Sequence, residues 1–110
     1  MVWVKALKFR SYLVQSILDG VKDTTWRLFD DKDIQEGDKI SLLNWVTLKE
    51  FAKAVVVSIK EKSFSELSEE DWQGHEKYES NEKMYEEYSK YYKQKIDKNI
   101  KLKIIKFKLI

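Results

Sequence analysis

The chain has 110 residues, 43% hydrophobic and 36% charged, with a formal net charge of +2. That suffices for one domain spanning 1–110 with one core; it is too apolar for a disordered chain and too often interrupted for a membrane span. There is no cysteine, which excludes disulfides, thiolate nucleophiles and cysteine-ligated zinc.

The N-terminal "MVWVKALKFR" has too short an apolar run for a secretory signal and no small-residue cleavage site, so a mature, cytoplasmic chain with no membrane partner is expected from here on. Within it, "VWVKALKF" mixes β-branched and aromatic residues and predicts a first strand. "SYLVQSILDG" predicts a short helix over Ser11 to Asp19, with Ser11 as N-cap and Gly20 in the left-handed position. "TTWRLF" resumes extended structure, where alternation puts Trp26 and Leu28 on the core face and Thr25 and Arg27 on the other. "DDKDIQEGDK" is a polar connection with a turn at "EGD", leading into the strand "KISLLNW". "VTLKE" then turns the chain into "FAKAVVVSIK", whose continuous apolar run predicts burial on both faces, Val55 and Val57 included. In "LSEED", Ser68 stands three residues before Asp71 and opens a short helix at Glu69 through a capping box. "SNEKMYEEYSKYY" predicts a helix from Ser80 to Tyr92, its core stripe being Met84, Tyr88 and Tyr91, widened by Tyr85 and Tyr92. Finally "KLKIIKFKLI" alternates lysine with Leu102, Ile104, Phe107 and Leu109, which predicts an edge strand with solvated lysines. This order is α+β, with strands enough to curl into a small barrel with flanking helices.

Charge is unevenly placed. Residues 66–87 hold nine Asp/Glu against two Lys, whereas residues 90–110 hold eight Lys against Asp97. The two segments are suited to pair with each other, and the basic one also to meet phosphate.

The chemistry concentrates in "GVKDTTWR", residues 20–27. Lys22 sits in the turn before the strand, close enough for its amine to fold back toward Thr25. A hydroxyl beside an amine is a nucleophile beside a base once burial, or the cation of Arg27, lowers the amine's pKa; the carboxylate of Asp23 opposes this. The same residues also read as a solvated turn with threonines chosen for β propensity. His75 is the single histidine. One imidazole makes no typical zinc site without cysteines, so no metal and no cofactor are expected, and His75 either positions the loop around it or faces water.

The succession of helix, Gly20, Lys22, Thr25, "TWR" and then "EGD" before a strand resembles the ASCH domain family, small barrels of the PUA-like superfamily. "EEDWQGHEKYESNEKMYEEYSKYY" is similar to the acidic helical insertion of compact single-domain members, and "KIIKFKLI" to their closing strand. The resemblance covers nearly the whole chain and implies a PUA-like (ASCH) β-barrel. Bacterial N4-acetylcytidine amidohydrolases of that family use a lysine, a threonine and a glutamate. The first two correspond to Lys22 and Thr25, and the glutamate to Glu76, with Gln73 or Glu79 under other gap placements. Asp23 departs from relatives that often carry a hydroxyl residue there. The implied reaction is attack by Thr25 on an exocyclic amide of a modified nucleoside, with Lys22 as base and Glu76, its pKa raised by acidic neighbours, as acid. Arg27 would stabilise charge or hold substrate, Asn44 and Trp45 would supply a hydrogen-bonding edge and an aromatic platform (Trp72 being another candidate), and His75 would support Glu76. The family also implies two other readings: an RNA-binding module, and a ribonuclease using Lys22 and Arg27.

Overall fold

A computed structural model describes residues 5–29 and 32–110. The predicted first strand is therefore described from Lys5, and part of the polar connection after Phe29 lies outside the described residues. In chain order the elements are β1 (Lys5–Phe9), α1 (Ser11–Leu18), β2 (Thr24–Arg27), β3 (Lys39–Asn44), β4 (Glu50–Ser63), a 3-10 turn (Phe64–Glu66), α2 (Glu69–Trp72), α3 (Asn81–Tyr92) and β5 (Lys101–Leu109). The strands form one sheet ordered β1-β3-β4-β5-β2. β1 runs parallel to β3, and the other neighbours are antiparallel. The sheet curls into a half-barrel whose two edges are β1 and β2. Among the described residues no helix is long and apolar enough to cross a membrane.

Two cores lie on opposite faces of this sheet. One gathers Leu7, Phe9, Ile17, Ile40, Leu42, Ala54, Val56, Ile105 and Phe107 under α1. The other gathers Trp26, Leu28, Phe64, Met84, Tyr88, Ile96, Leu102 and Ile104 under the helical excursion between β4 and β5. β5 serves both, because the adjacent pair Ile104 and Ile105 breaks the lysine alternation and sends one side chain to each core. The strand expected at an edge thus lies between β4 and β2. Burial on both faces is what an interior strand requires, and the outward lysines are not needed to block an edge.

β4 differs from expectation in another way. Its register shifts between Val56 and Ser58, and this bulge changes which residues face inward, from Ala54 and Val56 before it to Ile59 after it. Val57, at the bulge, is half exposed and Val55 only partly buried, so the apolar run is not covered on both faces. At α1 the N-cap is Arg10, not Ser11. The Ser11 hydroxyl donates instead to Asn44 Oδ1 at 3.0 Å. Gly20 has φ +78 as expected. Ser68 opens α2, its backbone N–H donating to Asp71 Oδ2 at 2.9 Å, and Ser80 caps α3 by accepting from the Lys83 backbone N–H.

No described ion pair joins the acidic excursion to the basic C-terminal segment across the fold. Among the described ion pairs only Lys90–Glu86 joins the two segments, and it lies within α3. The buried Asp71 takes Lys62 of β4 at 2.7 Å, because β4, not β5, passes beside α2. Most of the tyrosine stripe is packing: Tyr88 lies in the second core, with the Phe64 and Tyr78 ring centroids at 5.4 and 6.0 Å, and Tyr85 and Tyr92 pack against that core, whereas Tyr91, expected in the stripe, lies outside it with its ring 5.2 Å from Trp45. Tyr88→Ala is accordingly expected to lower stability by about 3 kcal/mol, the scale for emptying a large buried site, as read from denaturant unfolding.

Candidate functional site

A barrel left open between β1 and β2 exposes the interior where both cores end. Arg27 spans part of that gap, its Nη2 donating to the Lys8 carbonyl at 2.8 Å with the guanidinium 4.8 Å over the Phe9 ring. Beside it lies a cleft of about 80 Å³, lined by Lys22, Thr25, Trp26, Arg27, His75 and Glu76 and walled by tyrosines 12, 78, 88, 91 and 92. The turn from α1, the edge strand β2 and the excursion each supply part of it.

Lys22 is carried into this cleft by the reversal at Gly20 and is 96% buried. Its amine donates to the Thr24 carbonyl at 2.7 Å and is ion-paired with the Glu76 carboxylate, 54 residues further along the chain. Burial lowers the Lys22 pKa below the ordinary lysine value; the attraction of Glu76 opposes this and the Arg27 cation adds to it. Thr25 follows the strand alternation. It pairs with Ile105 across β2 and β5 and faces the cleft, while its neighbour Trp26 pairs with Ile104 and enters the second core. The Thr25 hydroxyl accepts from Arg27 Nε at 3.2 Å, so the lysine amine bonds backbone and carboxylate in this state while the arginine contacts the hydroxyl.

Glu76 is held in place by the two residues before it. Gly74, at φ +76, offers its carbonyl to the backbone N–H groups of Asp23 and Thr24, at 3.0 and 3.1 Å. These bonds fasten the excursion to the start of β2. His75 then lies buried with its ring stacked on Trp26, centroids 3.9 Å apart and planes 15° from parallel. Its Nδ1 is 2.7 Å from the Glu76 carbonyl. Burial, with help from the Lys22 and Arg27 cations, pushes the His75 pKa down to about 4, against the pull of Glu76. For Glu76 burial acts upward, yet the carboxyl lies below its ordinary value, held there by the charge and hydrogen bond of the Lys22 ammonium. The raised pKa expected from acidic neighbours is therefore not found, because the charge in contact with Glu76 is a cation.

Lys22, Thr25, Arg27, His75 and Glu76 thus meet in one cleft. Gln73 and Glu79 are exposed and outside it. Asn44 is also outside the cleft: its Oδ1 accepts from Ser11 and from the Val46 backbone at 2.8 Å, closing the β3–β4 turn. Trp45 stands at the rim, half exposed, 5.2 Å from the Tyr91 ring and under the Lys8 amine. Trp72 packs edge-on against Trp26 at 4.5 Å in the second core. Sequence reasoning missed Gly74 and the tyrosine walls; a glycine inside an otherwise helix-forming acidic run was the available signal for the first. Among the described residues no cluster of three or more His, Asp or Glu is placed to hold a metal ion.

The architecture is a PUA-like α+β half-barrel. Solved structures that share it include an ASCH domain from Lactobacillus crispatus, 16% identical with a TM-score of 0.71 over 96% of this chain and 79% of that one. A protein of the DUF984 family from Enterococcus faecalis is 15% identical with a TM-score of 0.76, over 100% and 82%. An ASCH protein from Zymomonas mobilis is 12% identical with a TM-score of 0.65, over 94% and 65%. The chain has the ASCH domain fold. No family model matches the sequence, and no curated protein matches it.

Two outcomes are expected from this geometry. A Cβ at Gly74 would stand 1.8 Å from Asp23 Oδ1 at a backbone angle that favours glycine. Gly74→Ala should therefore lower the melting temperature, and adding Asp23→Ala should recover the part due to the clash but not the part due to φ. Because His75 titrates near 4 when folded and near 6.5 when unfolded, the unfolded chain binds the extra proton between those values. Stability is then full above about pH 6.5 and falls as pH drops toward 4, by about 3 kcal/mol. Unfolding of His75→Phe across the same window should lack this loss.

Proposed function

We propose that the protein is an amidohydrolase that removes an acyl group from the exocyclic amine of N4-acylated cytidine or a related modified nucleoside. The observation that carries this reading is the convergence of Lys22 and Thr25 with Glu76, 54 residues beyond Lys22 in the chain, on one cleft, with the lysine buried and its pKa lowered. The resting ion pair is one proton transfer away from the reactive state. When substrate excludes water, the charged pair is destabilised, and a proton passing from Lys22 to Glu76 leaves a neutral amine and a neutral carboxyl. The amine accepts the Thr25 proton as Oγ1 bonds to the acyl carbon. The C–N bond breaks as Glu76 returns its proton to the leaving amine. Water then attacks the threonine ester and gives a proton to Glu76, while the Lys22 ammonium returns one to Thr25 Oγ1 as the C–O bond breaks and the carboxylic acid leaves; the proton on Glu76 passing back to Lys22 restores the starting pair. Arg27, already donating to Thr25 Oγ1, favours negative charge developing on that oxygen. The tyrosine walls suit a flat base.

A second reading, an RNA-binding module, has an observation of its own. At the rim Lys8 lies 5.6 Å from the Trp45 ring and Arg10 5.6 Å from the Tyr91 ring, cations beside aromatic faces of the kind that hold single strands.

The test is release of cytidine from N4-acetylcytidine. Thr25→Ala and Lys22→Ala should each abolish it, and the double variant should be no slower than either, since the residues act as one unit. Thr24→Ala should retain activity, because Thr24 Oγ1 bonds Asp23 and takes no part in the cleft. Circular dichroism on Lys22→Ala guards against misfolding, as that change strips Glu76 of its cation. If the wild type releases no cytidine from any acylated cytidine, the hydrolase reading fails and the binding reading takes its place; if Thr25→Ala and Lys22→Ala both remain active, the roles given to Thr25 and Lys22 fail.

A further inference from the structure

We infer that His75 is a positioning residue for Glu76, fixed as the neutral tautomer that keeps its proton on Nδ1 and turns a bare Nε2 toward the Glu76 carboxyl. A carbonyl oxygen only accepts, so the 2.7 Å contact between Nδ1 and the Glu76 carbonyl requires the proton on Nδ1. The groups facing the ring are the Trp26 face, the edges of Trp72 and Tyr78, and the charges of Lys22, Arg27 and Glu76. Two cations and nearly complete burial oppose an imidazolium, and one carboxylate favours it. With the ring neutral, Nε2 is a lone pair, and it lies 3.5 Å from Glu76 Oε1.

That geometry distinguishes the two carboxyl oxygens. Oε2 is the one paired with Lys22. While Glu76 is ionised, Oε1 and Nε2 are both acceptors, so negative charge is favoured on Oε2 beside the ammonium. Once Glu76 is protonated on Oε1, its O–H can donate to Nε2. The acid form then has a partner without the carboxyl leaving the lysine. A group that must gain and lose a proton in each cycle is thereby held in one place in both states, and the reason for a neutral buried histidine beside it is supplied.

The catalytic consequence rests on the hydrolase reading; the tautomer does not. Because the chain has a single histidine, the ring nitrogens of 15N-labelled protein can be observed by two-bond correlation NMR without site assignment. At pH 7 the expected spectrum has Nδ1 protonated and Nε2 bare; an Nε2–H tautomer or an imidazolium overturns the inference. In Glu76→Gln, whose side-chain amide can donate, the Nε2 resonance should shift while Nδ1 stays protonated, and an unmoved Nε2 resonance overturns the contact. Both results stand whether or not the wild type hydrolyses N4-acetylcytidine, and neither needs a His75 variant to fold. With activity in hand, His75→Phe, which keeps a ring on Trp26, should lower kcat by about tenfold or more with KM held. His75→Gln, with one donor and one acceptor, should recover part of that loss. An unchanged kcat in His75→Phe overturns the positioning role.

Discussion

A buried ammonium group must have a counter-charge, and in this fold that constraint ties the sheet to the excursion. Lys22 is carried below the surface by the turn after α1, and the carboxylate that compensates it comes from the segment between β4 and β5. Removing either charge strands the other in a poorly solvated place, a penalty larger than the net worth of the pair. The excursion therefore cannot lift from β2 without exposing the lysine to an uncompensated site. The Gly74 carbonyl, the His75–Trp26 stack and the packing of Tyr88 all serve that one placement.

The open side of the half-barrel gives the pair its setting. A closed barrel would satisfy the edges of β1 and β2 with ladder bonds and bury what lay between them. Here side chains do part of that work: Arg27 and Lys32 donate to the β1 carbonyls of Lys8 and Ala6. The gap keeps polar groups at the meeting point of two apolar cores, where water is scarce and electrostatic effects are strong. Ligand sites at the unfilled mouth of a curled sheet follow from the same geometry.

Much of this was written locally in the chain. The elements from "SYLVQSILDG" to "KLKIIKFKLI" follow helical and strand periodicity, and the alternation at "TTWR" places Thr25 and Trp26 on opposite faces as read. What failed were features set by neighbours distant in sequence. The position of β5 inside the sheet depends on β2 pairing with it, and nothing within "KLKIIKFKLI" except the doubled isoleucine at 104 and 105 signals two covered faces. The exposure of Val57 depends on a bulge, which apolar composition does not encode. In the cleft, Lys22 and Thr25 were legible because they share one short stretch. Asn44 was misplaced because its role in the β3–β4 turn depends on Ser11, and the place of Trp45 at the rim depends on Tyr91. The pKa of Glu76 was misjudged in direction, since a count of acidic neighbours in sequence ignores the one cation in contact.

Several of the places where local rules are broken lie around the same few atoms. A lysine is buried, a glycine takes a left-handed angle inside a helix-forming run, a histidine is held neutral, and the Trp26 indole N–H is buried with no partner among the described residues. An unpaired indole N–H alone costs on the order of 1–3 kcal/mol. A fold selected only for stability would exchange these residues for apolar ones of similar volume, since a buried ion pair seldom outperforms a packed hydrophobe. Their concentration at the open edge, and their absence from the core around Ile40, Leu42 and Ile105, is the pattern expected where stability is given up for chemistry at one site. The burial that makes the Lys22–Glu76 pair costly in its charged state also brings its neutral state within reach.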